Sequence, residues 1–124
     1  MGIAANESAE NYLETILNLS ETLPVVRSVD IANELGFKKS SVSVAMKNLR
    51  EKGHITVTHA GFIYLTDSGK EIAEMIQERH RLLTTWLNKL GVPEEIASED
   101  ACKLEHVLSK ESFRAIKQYA EQNK

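Results

Sequence analysis

Apolar residues recur at intervals of three and four along most of the chain, which is the spacing of one helical face. The first such stretch begins at Ser8, a predicted N-cap, and carries Tyr12, Leu13 and Ile16 on its apolar side before Pro24 ends it. This pattern predicts an amphipathic helix that packs on a core.

Two shorter helices are predicted next. One runs from Val29 to Leu35 and ends at Gly36, and the other runs from Ser40 to Gly53. The second helix has an inner face of Val42, Met46 and Leu49, and an outer face of hydroxyls, amides and cations. Two helices joined by a short glycine-containing turn are typical of a helix-turn-helix.

After Gly53 the spacing of apolar residues changes from helical to alternating, which is typical of β-strands. Ile55–Val57 and Phe62–Leu65 are short β-rich runs separated by a glycine turn, which predicts a hairpin. A helix-turn-helix followed by a hairpin is a winged helix. The predicted fold is therefore mainly α, with an N-terminal winged helix-turn-helix over residues 1–70 and an all-helical domain over 71–124.

Three helices are predicted in that second domain. The first opens at Thr66 and reaches about Leu90, and its apolar stripe includes His80 where an aliphatic residue is expected. The second spans Glu94–Leu108, and the last starts at Ser109.

Composition and charge limit the classes of function that the chain can have. No apolar run is long enough to span a bilayer and the first residues lack a signal-peptide pattern, so a cytoplasmic protein without membrane contact is expected. The net charge of -3 argues against nucleic acid, but residues 38–52 form a local basic patch. With the helix-turn-helix scaffold, this patch favours double-stranded DNA over a merely solvated surface or a protein partner. The predicted DNA-contacting residues are Lys38, Lys39, Ser40, Ser41, Ser43 and Lys47.

Candidate chemistry is concentrated late in the chain. Cys102, the only cysteine, shares a predicted helical turn with Glu105 and His106, and His80 lies on the preceding helix. A thiol, a carboxylate and imidazoles favour a metal site. A Cys–His nucleophile is the enzymatic alternative, but no oxyanion loop accompanies it, so no enzyme is expected. A structural network, a redox thiol and a closed zinc site stay open.

Several segments together resemble the metal-dependent repressors of the diphtheria toxin repressor and manganese transport regulator family. They are Ser8-Ala-Glu-Asn-Tyr-Leu-Glu-Thr-Ile16, Arg79-His-Arg-Leu-Leu83 and the Ala-Cys-x-x-Glu-His motif within Glu99–Ser109. The resemblance implies a homodimeric, metal-activated repressor of metal uptake or homeostasis genes that binds a palindromic operator. It also implies that the second domain binds metal and dimerises, and that the chain is the short form without an SH3-like domain.

The resemblance also implies a ligand set. Cys102, Glu105 and His106 fall on ligand positions of the iron branch, and Glu14 and His80 on those of the manganese branch. Asn11 stands where the two branches have Met or Asp. The expected cofactor is Fe²⁺ or Mn²⁺, with Zn²⁺ or Co²⁺ also able to bind in vitro. The soft thiolate biases the site towards Fe²⁺ over Mn²⁺.

Overall fold

A computed structural model describes the backbone of residues 2–122 and the side chains of residues 8–122. Within that range the chain is mainly helical, which confirms the predicted fold class. The elements are α1 (Gly2–Ser20), α2 (Ser28–Leu35), α3 (Lys39–Glu51), β1 (Ile55–Val57), β2 (Ile63–Leu65), α4 (Asp67–Lys89), α5 (Glu94–Leu104) and α6 (Lys110–Gln122). No described helix has the length and hydropathy needed to cross a membrane.

The described chain divides into two compact units between Glu74 and Met75. The first unit has a continuous apolar core to which α1, α2, α3 and the hairpin all contribute. Its most deeply buried members include Leu13, Ile16, Ile31, Val42 and Ile55. Leu13, Ile16 and Val42 belong to the predicted helical stripes, whereas Ile55 belongs to the predicted β-rich run, so both periodicities were needed to identify this core. The domain boundary at residues 70 and 71 stays a prediction.

The helix-turn-helix is formed by α2 and α3. The Arg27 N–H donates to the Asp30 carboxylate at 2.9 Å and satisfies the start of α2. Gly36 ends the helix in the left-handed region with φ of 69°, which costs glycine little. The chain can therefore turn within three residues and enter α3.

The wing is a two-stranded antiparallel sheet. Ile55 pairs with Leu65, and Val57 pairs with Ile63. The Ile63 N–H also donates to the Val26 carbonyl at 2.8 Å, which attaches the hairpin to the segment before α2. The predicted winged helix is thus present.

Thr66 caps α4, as predicted. Its hydroxyl accepts from the Gly69 N–H at 3.3 Å and donates to the Gly53 carbonyl at 2.7 Å. This hydroxyl therefore connects the start of α4 to the segment that follows α3.

The second unit contains most of α4 together with α5 and α6. Its core comprises Ile76, Leu83, Ala97, Ala101 and Phe113. The two alanines are fully buried on α5, and their small side chains allow the backbone of that helix to approach its neighbours closely.

Two predicted helix ends are wrong. Ser8 is not an N-cap, because α1 already begins at Gly2 and continues through it. The helix predicted to reach Leu108 ends at Leu104, and a tight turn follows in which the Val107 N–H bonds to the Leu104 carbonyl at 3.1 Å. Glu105 therefore lies just beyond α5.

Candidate metal centre and nucleic-acid interface

Three potential metal ligands converge in the second unit. A nitrogen of His80, the sulfur of Cys102 and a carboxylate oxygen of Glu105 all lie within 4.8 Å of one another. The His80 Nδ1 is 3.1 Å from Glu105 Oε2 and 3.6 Å from Cys102 Sγ. His80 comes from α4, whereas Cys102 and Glu105 come from α5 and its C-cap, so the packing of these two helices brings the three groups together.

The three groups differ in depth. The Glu105 side chain is 1% exposed and that of His80 is 28% exposed, whereas Cys102 is exposed. A buried carboxylate is costly unless it is paired or coordinates a cation. Nitrogen, sulfur and oxygen donors at this separation suit a divalent first-row metal, so the residues present fit the ion that the ligand pattern predicts.

His106 contacts the same carboxylate from its other side. Its Nε2 lies 3.4 Å from Glu105 Oε1, and its side chain is 3% exposed. Glu105 is therefore placed between two imidazoles. α5 ends at Leu104, but Glu105 is its C-cap, keeps a right-handed helical backbone and donates to the Ala101 carbonyl at 2.9 Å, so Cys102 and Glu105 are neighbours as their spacing predicted.

Two hydroxyls contact His80, and only that of Ser98 faces its ring. The Ser98 Oγ is 3.4 Å from its Nε2, and the Thr84 hydroxyl donates to its backbone carbonyl at 2.7 Å. The Nδ1 faces Glu105 Oε2 at 3.1 Å and can donate to it; if Nδ1 bound an ion, the ring proton would be on Nε2 and would face Ser98. Partners of this type commonly fix the tautomer of a ligating histidine.

Asn11 and Glu14 lie on α1 in the first unit, and both side chains are half-buried. The Asn11 backbone carbonyl accepts from the Thr15 hydroxyl at 2.8 Å. Their role as metal ligands stays a prediction.

The outer face of α3 presents the predicted DNA-contacting side chains. All six are exposed: Lys38, Lys39, Ser40, Ser41, Ser43 and Lys47. Lys38 occupies the N-cap position of α3, and the other five lie on the helix itself.

A hollow of about 210 Å³ lies beside that face, between α2, α3 and the wing. Ser28, Ser43, Lys47 and Arg50 supply its hydroxyls and cations, and Met46 and Val57 complete it. A groove with these groups can accept a phosphate oxygen. Sequence reasoning placed Arg50 in the basic patch but omitted it and Ser28 from the contact set. Arg50 lies three residues after Lys47 on α3, so helical spacing indicated it, whereas only the fold brings Ser28 beside Lys47.

Sequence reasoning assigned no site role to Arg79 and Ser98, which lie near the candidate metal ligands. A signal for Arg79 was present, since it lies three residues after Ile76 and four before Leu83 in the buried stripe of α4. A cation at such a position indicates a buried contact. Nothing in the local pattern marked Ser98, which reaches His80 only through the packing of α5 on α4.

A winged helix with a basic recognition helix, joined to a helical unit with a nitrogen, sulfur and oxygen cluster, defines a class of metal-responsive DNA-binding regulators. Residues 5–61 match the family model described as the iron dependent repressor N-terminal DNA binding domain. Residues 66–124 match that of the iron dependent repressor metal binding and dimerisation domain. The chain belongs to the iron-dependent repressor family. The predicted family is thus confirmed, and so is the prediction that the chain is not an enzyme, because members of this family are DNA-binding transcriptional regulators.

Individual relatives agree with this assignment. An uncharacterized HTH-type transcriptional regulator of Methanocaldococcus jannaschii is 36% identical over 96% of this chain and 97% of its own length. The transcriptional regulator MntR of Salmonella typhimurium is 32% identical over 94% of this chain and 74% of its own. A solved manganese-dependent transcriptional repressor in complex with manganese aligns with a TM-score of 0.82 and 30% identity. That alignment covers 91% of this chain and 52% of the repressor, so the chain spans about half the length of that protein.

Proposed function

We propose that this chain is a metal-activated repressor of metal-ion uptake or homeostasis genes, with Fe²⁺ or Mn²⁺ as its activating ion. The observation that carries the proposal is the convergence of His80, Cys102 and Glu105 within 4.8 Å. This convergence lies in the part of the chain that matches a metal-binding family domain.

His80, Cys102 and Glu105 would hold the ion, with His106 adjacent to the shared carboxylate. Asn11 and Glu14 on α1 complete the proposed ligand set. A bound cation would supply the positive charge that stabilises a thiolate and a buried carboxylate side by side. In this scheme, ligands from α1 and from the helices after the wing bind the same ion.

Coupling to DNA follows from that shared binding. We infer a homodimer in which the two α3 helices read successive major grooves of a palindromic operator, so their spacing must match the repeat of the duplex. Ligation by both units fixes that spacing, which lowers the free energy of DNA binding. Couplings of this kind are typically about 1 to 3 kcal/mol, or roughly 5- to 150-fold in affinity.

The physiological metal depends on the donor set. The Cys102 sulfur is a soft ligand, and Mn²⁺ is the weakest binder among the divalent first-row metals. This donor favours Fe²⁺ over Mn²⁺. The solved repressor above is manganese-dependent, which keeps Mn²⁺ as the other candidate.

The experiment is a fluorescence anisotropy titration on a palindromic duplex selected from a random pool in the presence of metal. We expect DNA affinity to rise roughly 5- to 150-fold with Fe²⁺, under anaerobic conditions, or with Mn²⁺, and to fall again with chelator. Glu105→Gln should abolish the metal response, whereas Glu99→Gln, an exposed change on α5, should retain it. Equal DNA affinity with and without metal would contradict the proposal.

A further inference from the structure

Arg79 is a buried cation in the second unit. It lies on α4 and is 6% exposed. Its Nη1 donates to two backbone carbonyls, that of Glu105 at 3.1 Å and that of Leu108 at 2.9 Å. The Phe113 ring lies against the guanidinium, with 5.1 Å from Cζ to the ring centroid. One side chain thus binds both ends of the turn that follows α5.

The stability of the fold does not by itself account for this arrangement. Burying a guanidinium is costly, and well-packed apolar residues often replace buried charges without loss of stability. Its Nε has no hydrogen-bond partner among the described residues, so the group is only partly satisfied. The carbonyls near a helix C-terminus carry partial negative charge, which offsets part of the cost.

The turn that Arg79 holds carries Glu105, and His80 is the next residue after Arg79 on α4. The two Nη1 bonds therefore connect the element that bears one candidate ligand to the element that bears another. Without them, the carbonyls of Glu105 and Leu108 lose the donor that fixes the turn, and the carboxylate loses its register with the imidazole. An ion would then have to order the turn as it bound.

We propose that Arg79 is a positioning residue of the metal centre: its guanidinium holds the 105–108 turn against α4 so that Glu105 faces His80 before metal binds. This inference rests on the proposed function of the cluster as a metal site. Arginine suits the role because its planar, delocalised head is weakly hydrated and keeps its charge when buried.

The test is a Co²⁺ titration of the metal-free protein, followed by the thiolate-to-cobalt charge-transfer absorption that reports coordination by Cys102. The principal variant is Arg79→Met, which fills similar volume and cannot donate. The matched control is Lys117→Met, since Lys117 connects α6 to α4 through Glu78 at 3.1 Å but does not contact the ligand turn. The urea unfolding of each metal-free protein is measured separately.

We expect Arg79→Met to bind Co²⁺ roughly 10- to 100-fold more weakly, the usual effect of removing a residue that orients metal ligands. The control should match wild type. Arg79→Lys should recover part of the affinity, because an ammonium can still donate to a carbonyl. Wild-type Co²⁺ affinity in folded Arg79→Met would overturn the proposal.

If Arg79→Met does not fold, Arg79→Lys decides: weakened Co²⁺ binding by the folded protein supports the proposal, and wild-type binding overturns it. Failure of both variants to fold would show that Arg79 serves the core, which also overturns it. Failure of the proposed function looks different, because wild-type protein would then give no charge-transfer band, or a band that Cys102→Ser leaves unchanged.

Discussion

Gly69 stands in the first turn of α4, directly against the backbone of His54. A Cβ at this position would lie 1.9 Å from the His54 carbonyl oxygen and 3.0 Å from its carbonyl carbon. Replacing a helical glycine with alanine ordinarily stabilises a protein by about 0.5 to 1 kcal/mol. We expect the opposite sign for Gly69→Ala, because a backbone carbonyl and not a flexible side chain occupies the space.

The magnitude follows from the contacts of that carbonyl. It must retreat by about 1 Å before the methyl group reaches the 3.0 Å below which Cβ atoms are essentially never found. The same oxygen accepts from the Thr66 N–H at 3.1 Å, so the shift also disturbs the cap of α4. Overpacking of this kind typically costs about 1 to 3 kcal/mol. With mid-range values of about 2 kcal/mol for overpacking and about 0.75 kcal/mol for the helix gain, a net loss of about 1 kcal/mol remains.

The free energy of unfolding of the metal-free protein is measured by urea titration at one fixed protein concentration, followed by circular dichroism. Lys70→Ala is the control, because Lys70 is the exposed neighbour of Gly69 and its replacement introduces the same residue. A Gly69→Ala protein as stable as wild type, or more stable, would refute the reasoning. It would show that the His54 carbonyl can move away from α4 without loss of stability.

Two further predictions concern the proposed interfaces. Lys47→Ala should weaken binding to all duplexes and, if the side chain contacts a phosphate, lower the dependence of log K on log salt by about one unit. Lys110→Ala, which changes an exposed lysine at the start of α6, should leave that slope unchanged. Anisotropy at several salt concentrations measures the slope of each variant, and equal slopes remove Lys47 from the contact set. Cys102→Glu should weaken the binding of Zn²⁺ and Co²⁺ more than that of Mn²⁺, because a carboxylate is a harder ligand than a thiolate. Competition titrations measure the affinity for each of the three metals, and an equal loss of affinity for all three would contradict the prediction.

The elements themselves could be predicted because their signals are local. Val42, Met46 and Leu49 recur at helical spacing, and all three are buried in α3. Ser8 misled the prediction because a serine within a helix has the same local sequence as a serine that caps one. The alanines and the glutamate that precede it favour helix equally well.

The candidate site could be predicted only in part, because its geometry depends on a tertiary contact. Spacing brought Cys102 and Glu105 together, but it predicted a helix that continues to Leu108, whereas α5 ends at Leu104 with Glu105 as its C-cap. The carbonyls of Glu105 and Leu108 bond to Arg79, on a different helix, and this competes with continuation of α5. No pattern within residues 94–108 could reveal that competition, since the decisive donor lies 26 residues away from Glu105.

The depths of the three candidate ligands separate two properties of the proposed site. Glu105 is enclosed by two imidazoles, and its backbone is held by Arg79, so its replacement disturbs packing as well as ligation. Cys102 is exposed on α5, so another side chain with a different donor atom can replace it without disturbing the core. Metal preference can therefore vary at Cys102 while the geometry set by Glu105 is retained.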